Sequence, residues 1–143
     1  MLAFGFGSGL SPKAPGTAGT VMGMLLAYPI TAMELWAGLL LVGMAFIAGI
    51  PICQKASDAL GMHDHGGIVW DEFVGIWLVL VLVPFDWAWW LAAFAAFRLF
   101  DIVKPWPIGW LDRRVHGGFG IMLDDLVAAL YAAGLLGLVG VWV

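Results

Sequence analysis

The chain has 143 residues, enough for one domain. Apolar residues make up 63% and charged residues only 11%, against about 25% charged in a typical soluble domain, and the mean hydropathy is +1.00. A soluble fold with so few charges could not cover its surface, so the bilayer is the expected solvent; the net charge of −4 offers nothing to nucleic acid, and the lone Cys53 excludes an internal disulfide or a cysteine-rich metal site.

In chain order, the stretch 1–11 lacks a basic start and the first basic residue is Lys13, so no cleavable signal is expected. Gly7-Ser8-Gly9-Leu10-Ser11-Pro12-Lys13-Ala14-Pro15-Gly16-Thr17-Ala18-Gly19-Thr20 follows. Small residues with backbone and hydroxyl donors can cradle an anion at a helix start, which makes Ser8, Ser11 and Thr17 candidate phosphate contacts. A Gly/Pro-rich turn before a helix is the plainer alternative. No Gly-Lys-Ser/Thr follows, so this is not a P-loop.

Apolar segments are predicted at 18–33, 35–53, 68–83, 87–100 and 126–143. The second and fifth approach the ~20 residues that span a bilayer core, and the others need their flanks. Backbone groups in lipid must pair internally, so helices are the default. Small residues such as Gly43, Gly49, Ala92, Ala96 and Gly137 suit close helix packing. The expected fold is a single all-α, integral-membrane bundle of about five hydrophobic helices, with short or re-entrant segments allowed.

The connections are unequal. Glu34 and Pro84-Phe85-Asp86 carry no basic residue. Lys13, Lys55, Arg98, Lys104, Arg113 and Arg114 all fall on the other side if every segment spans, and the positive-inside rule makes that side cytoplasmic. The same side holds Asp64, His65, Asp71, Glu72, Asp101, Asp112, His116, Asp124 and Asp125. Ionisable groups at membrane helix ends are a functional hypothesis by default.

Three constellations carry that chemistry. His63-Asp64-His65-Gly66-Gly67 leads into Asp71-Glu72, an acidic pair in the first turn of the third segment. One acid there would merely suit the helix dipole; two, diverging by about 100°, can face an ion and support it. Arg98 and Asp101 share a helix face that Pro105 ends, either as a simple ion pair or with Asp101 on a metal and Arg98 and Lys104 on a phosphate. Asp112-Arg113-Arg114-Val115-His116-Gly117-Gly118 reads as a flexible loop leading to Asp124-Asp125. Arg113 is a phosphate contact or a topology anchor, and His116 a general acid, a phosphate donor or only a loop residue. Oxygen-rich, sulfur-free sites favour hard ions such as magnesium.

Other phosphatase chemistries fail on the residues. Six positions after Cys53 stands Ala59 rather than arginine, and no Asp-x-Asp nucleophile motif occurs. The chain instead resembles the phosphatidylglycerophosphatase A family. The resemblance rests on Gly7-Ser8-Gly9-Leu10-Ser11-Pro12, Pro15-Gly16-Thr17, His63-Asp64-His65-Gly66 and Ile68-Val69-Trp70-Asp71-Glu72-Phe73. It continues through Phe97-Arg98 with Asp101, Lys104-Pro105-Trp106-Pro107, Asp112-Arg113, Val115-His116-Gly117-Gly118 and Asp124-Asp125, so it runs from about Phe6 to Tyr131. It implies a magnesium-dependent enzyme of the bacterial inner membrane that converts phosphatidylglycerophosphate to phosphatidylglycerol.

On this reading Asp71, Glu72, Asp101, Asp124 and Asp125 bind magnesium or support its ligands. Arg98, Lys104 and Arg113 hold the phosphate with Ser8, Ser11 and Thr17. Asp71, Glu72 and Asp101 are the catalytic acids, and His65 or His116 protonates the leaving alkoxide. A small ion or phosphate transporter is the alternative, since intramembrane acids also mark ion paths. Against it, the opposite half holds only Glu34 and Asp86.

Overall fold

A computed structural model of the chain describes residues 2–62 and 65–142. Every regular element among them is helical. The N-terminal segment Leu2–Leu10 winds as short 3-10 turns around a left-handed break at Gly5-Phe6-Gly7. Then come α1 (Pro15–Thr31), α2 (Leu35–Leu60), α3 (Trp70–Leu82), α4 (Trp87–Val103), α5 (Ile108–Arg114) and α6 (Gly117–Trp142).

The predicted segments reappear with shifted ends. Proline suits a first helical turn, and α1 starts at Pro15. Helix α2 runs on from 53 to Leu60, where Gly61 caps it in the left-handed conformation. The largest difference is α6, which begins at Gly117 rather than at 126. The glycines read as a flexible loop are its first turn. They are small because α2 lies against them: a Cβ on Gly118 would stand 1.9 Å from the Ile50 carbonyl oxygen. Gly118 N–H also donates to Gln54 Oε1 at 2.8 Å. The short α5 occupies what was read as a plain connection.

Helix α3 is the centre of the bundle. Its residues from Asp71 to Leu80 are all buried, and α1, α2, α4 and α6 pack around it. Close approach depends on small residues facing large ones. Trp77 Nε1 donates to the Gly23 carbonyl of α1 at 2.8 Å. On the other side, Phe97 of α4 fills the space over Gly75. With 13 residues, α3 rises only ~20 Å, less than the ~30 Å of a bilayer core.

The outside inverts the usual order. Leu25, Trp36, Leu40, Ile47, Trp87 and Leu138 are exposed, while Thr20, Asp71, Glu72, Asp124 and Asp125 are buried. Ionised side chains are almost never fully buried in a soluble domain unless paired. By length and composition, Leu35–Leu60 and Gly117–Gly140 could cross a membrane.

Candidate active site

The first turn of α3 carries Asp71 and Glu72, as its sequence predicts. Glu72 reaches two neighbouring helices: Thr20 Oγ1 of α1 stands 3.2 Å from Glu72 Oε2 and shares its one proton between that oxygen and the Gly16 carbonyl at 2.9 Å, and Arg98 Nη1 of α4 lies 3.6 Å from Glu72 Oε1. Arg98 and Asp101 sit on one face of α4, and Arg98 Nη1 donates to Asp101 Oδ2. Asp124 and Asp125 lie inside α6 rather than at its start, 2% and 3% exposed.

Lys104 closes α4 and ties it to α6. Its ammonium donates to Asp124 Oδ2 at 2.9 Å and stands 3.4 Å from Asp112 Oδ1. Burial alone would lower its pKa. The hydrogen bond and charge of Asp124, with the charges of Asp112 and Asp125, outweigh that and hold Lys104 protonated above its usual range. The residue is left-handed at φ 50°, ψ 61°, where glycine is the relaxed choice. That conformation costs on the order of 1 kcal/mol and is retained where the ammonium meets Asp124.

The acids converge. One oxygen each from Glu72, Asp101 and Asp125 lies within 4.8 Å of the others. Asp71 and Asp124 are also close enough for their charges to act on Asp125. Asp125 Oδ2 is buried with no hydrogen-bond donor among the described residues. A buried carboxylate oxygen left over in an all-oxygen cluster is what a hard cation satisfies. Glu72, Asp101 and Asp125 therefore fit a divalent ion, and Arg98, bridging two of them, is the one side-chain cation already on that set among the described residues.

The other candidates are placed differently. Ser8 Oγ donates to the Gly5 carbonyl at 2.9 Å and Ser11 Oγ to the Lys13 carbonyl at 2.8 Å, so both hydroxyl protons are committed to backbone. Thr17 makes no side-chain hydrogen bond among the described residues. His65 accepts from Gly67 N–H through Nδ1 at 2.9 Å and meets the Phe4 ring edge-on. His116 and Arg113 are exposed at the ends of α6 and α5. His63 and Asp64 lie outside the described residues. The sequence reading held Gly16 and Thr20 within its anion-cradling stretch and named neither as a neighbour of the acids. A Cβ on Gly16 would stand 2.7 Å from Glu72 Oε1 and 3.1 Å from Arg98 Nη2. The available signal was a hydroxyl, Thr20, one turn after Gly16 in a largely apolar helix.

Fold and site together define a helical-bundle protein with a largely buried, all-oxygen acidic cluster able to hold a cation, bordered by an arginine and a lysine suited to phosphate. The family model for phosphatidylglycerophosphatase A matches residues 1–140. A phosphatidylglycerophosphatase A of Escherichia coli is 47% identical over 141 residues, covering 98% of this chain and 82% of that protein. Another, from Haemophilus influenzae, is 49% identical over 137 residues, covering 92% of this chain and 82% of that one. No solved structure gives a significant match. The chain belongs to the phosphatidylglycerophosphatase A family.

Proposed function

We propose that the protein hydrolyses the terminal phosphomonoester of phosphatidylglycerophosphate, giving phosphatidylglycerol and phosphate for phospholipid synthesis. Family membership supports the reaction. The observation that carries the site is the convergence of Glu72, Asp101 and Asp125 beside Arg98. We further assign magnesium as the ion and the bacterial inner membrane as the location, with the site facing the cytoplasm. The oxygen-only ligand set supports the first. The apolar exterior and the segregation of the basic residues support the second.

In the reaction a water oxygen attacks phosphorus, the bond from phosphorus to the glycerol oxygen breaks, and the leaving alkoxide takes a proton. The guanidinium fork of Arg98 suits two phosphoryl oxygens, and the protonated Lys104 adds a second positive charge. Thr20 fixes the Glu72 carboxylate, while Asp124 anchors Lys104. Glu72, Asp101 and Asp125 would hold magnesium, whose chemistry there would be Lewis-acid polarisation of the phosphoryl oxygens. The donor to the alkoxide is His65 or His116. The Gly67 N–H on Nδ1 leaves the proton of a neutral His65 ring on Nε2, where it can donate a hydrogen bond to the leaving oxygen.

Phosphate release from purified protein on short-chain phosphatidylglycerophosphate tests the reaction. Steady release is expected, and none from the folded wild type in the presence of magnesium would overturn it.

A further inference from the structure

A groove of about 450 Å³ runs along the outer side of α1. Ser8, Lys13 and Thr17 line one end, and Ala18, Val21 and Leu25 continue it along the helix. From Thr17 to Leu25 the helix rises about 12 Å. Val21 and Leu25 are 45% and 69% exposed, so the apolar end is open to the surroundings.

The polar end adjoins the acidic cluster. Gly16 lies beside Thr17 in the first turn of α1, which Lys13 precedes, and its backbone abuts Glu72 and Arg98. One side of the turn therefore faces the reaction centre and the other faces the groove. Lys13 has no ion-pair partner and Thr17 no side-chain hydrogen bond among the described residues. Helix α1 also has no side-chain cap, so its first N–H groups add positive potential at that end. The Ser8 hydroxyl, committed to Gly5, shapes the wall rather than donating.

We propose that this groove seats the substrate lipid, with Lys13 and Thr17 on its bridging phosphodiester and an acyl chain along Ala18, Val21 and Leu25. The inference rests on the reaction assigned above. That substrate carries two anionic groups one glycerol unit apart, a terminal monoester and a diester attached to the diacylglycerol. With the monoester at Arg98, the diester falls at the adjoining turn, and the chains must leave along an apolar surface. The groove matches both needs: cation and hydroxyl at one end, hydrocarbon at the other. Lys13 then sets selectivity for a lipid carrying both phosphates and takes no part in bond breaking.

The test uses the full-length protein in mixed micelles with Lys13→Gln, Lys13→Arg and Val21→Trp. Lys13→Gln should raise KM for phosphatidylglycerophosphate about tenfold, the scale of one charge-assisted contact, with little change in kcat. It should weaken inhibition by the product phosphatidylglycerol by a similar factor, because the product keeps the diester. Inhibition by inorganic phosphate should not move, and Lys13→Arg should restore wild-type behaviour. Val21→Trp, which narrows the groove, should raise KM for long-chain substrate more than for a short-chain one. Unchanged phosphatidylglycerol inhibition in Lys13→Gln, or an equal shift in phosphate inhibition, would overturn the proposal. If the wild type fails to hydrolyse the lipid, the reaction falls on its own. Direct phosphatidylglycerol binding to wild type and Lys13→Gln then still decides whether the groove holds lipid.

Discussion

Helices α2 and α3 are both apolar and are used in opposite ways. Helix α2 has 26 residues and turns Trp36, Leu40 and Ile47 outward. Helix α3 has 13 residues and is enclosed by four other helices from Asp71 to Leu80. An outer helix is apolar because its solvent is; an inner helix is apolar because its neighbours are. Hydropathy marks both and separates neither. What separates them is length and the acids that α3 takes inside. A buried carboxylate is costly unless cations or hydrogen bonds compensate it. Glu72 is kept where Arg98 and Thr20 meet it.

That contrast can be broken from either side. The largest effect is expected on the enclosed helix. Asp71→Asn should lower kcat about 1,000-fold or more while the protein keeps its circular dichroism spectrum and elution volume. Near-normal turnover would remove Asp71 from the site. Arg98→Ala should cost about 100-fold, and Arg98→Lys should recover only part of that, since one ammonium lacks the fork. Equal rates for Arg98→Lys and wild type would reduce the residue to a point charge.

On the outer helix the expected loss is of insertion rather than chemistry. Ile47→Asp should cost about 3–4 kcal/mol of membrane insertion, read as depletion from the membrane fraction. In a water-facing helix the same change would lie within about 0.5 kcal/mol, so an unaffected membrane fraction would remove lipid from that face. The smallest effect belongs to Gly16→Ala. The new methyl meets the movable end of Glu72, so kcat/KM should fall about tenfold with no shift in Tm. A matching fall in Tm would make Gly16 a packing residue only.

Sequence separation decided what could be read in advance. Arg98 and Asp101 lie one helical turn apart, so their shared face follows from spacing alone. Asp71 and Glu72 at the start of α3 were legible for a similar local reason. The contacts that build the site are not local. Thr20 meets Glu72 across 52 residues, and Lys104 meets Asp124 across 20, and no periodicity reports either. The glycines before Asp124 were read as a loop because Gly-rich runs favour turns. The close backbone of α2 that leaves no room for a side chain at Gly118 is visible only in three dimensions. Ser8 and Ser11 show the converse: hydroxyls suited to an anion by type donate instead to nearby carbonyls.

Phosphate release from phosphatidylglycerophosphate, followed with purified wild type before and after chelation and beside Asp101→Asn, is the most direct test of the buried carboxylates as a metal-dependent reaction centre. Release should stop on chelation, return with added magnesium, and be absent from an Asp101→Asn protein that folds as the wild type does. Undiminished release from the chelated wild type, or from Asp101→Asn, would contradict that assignment.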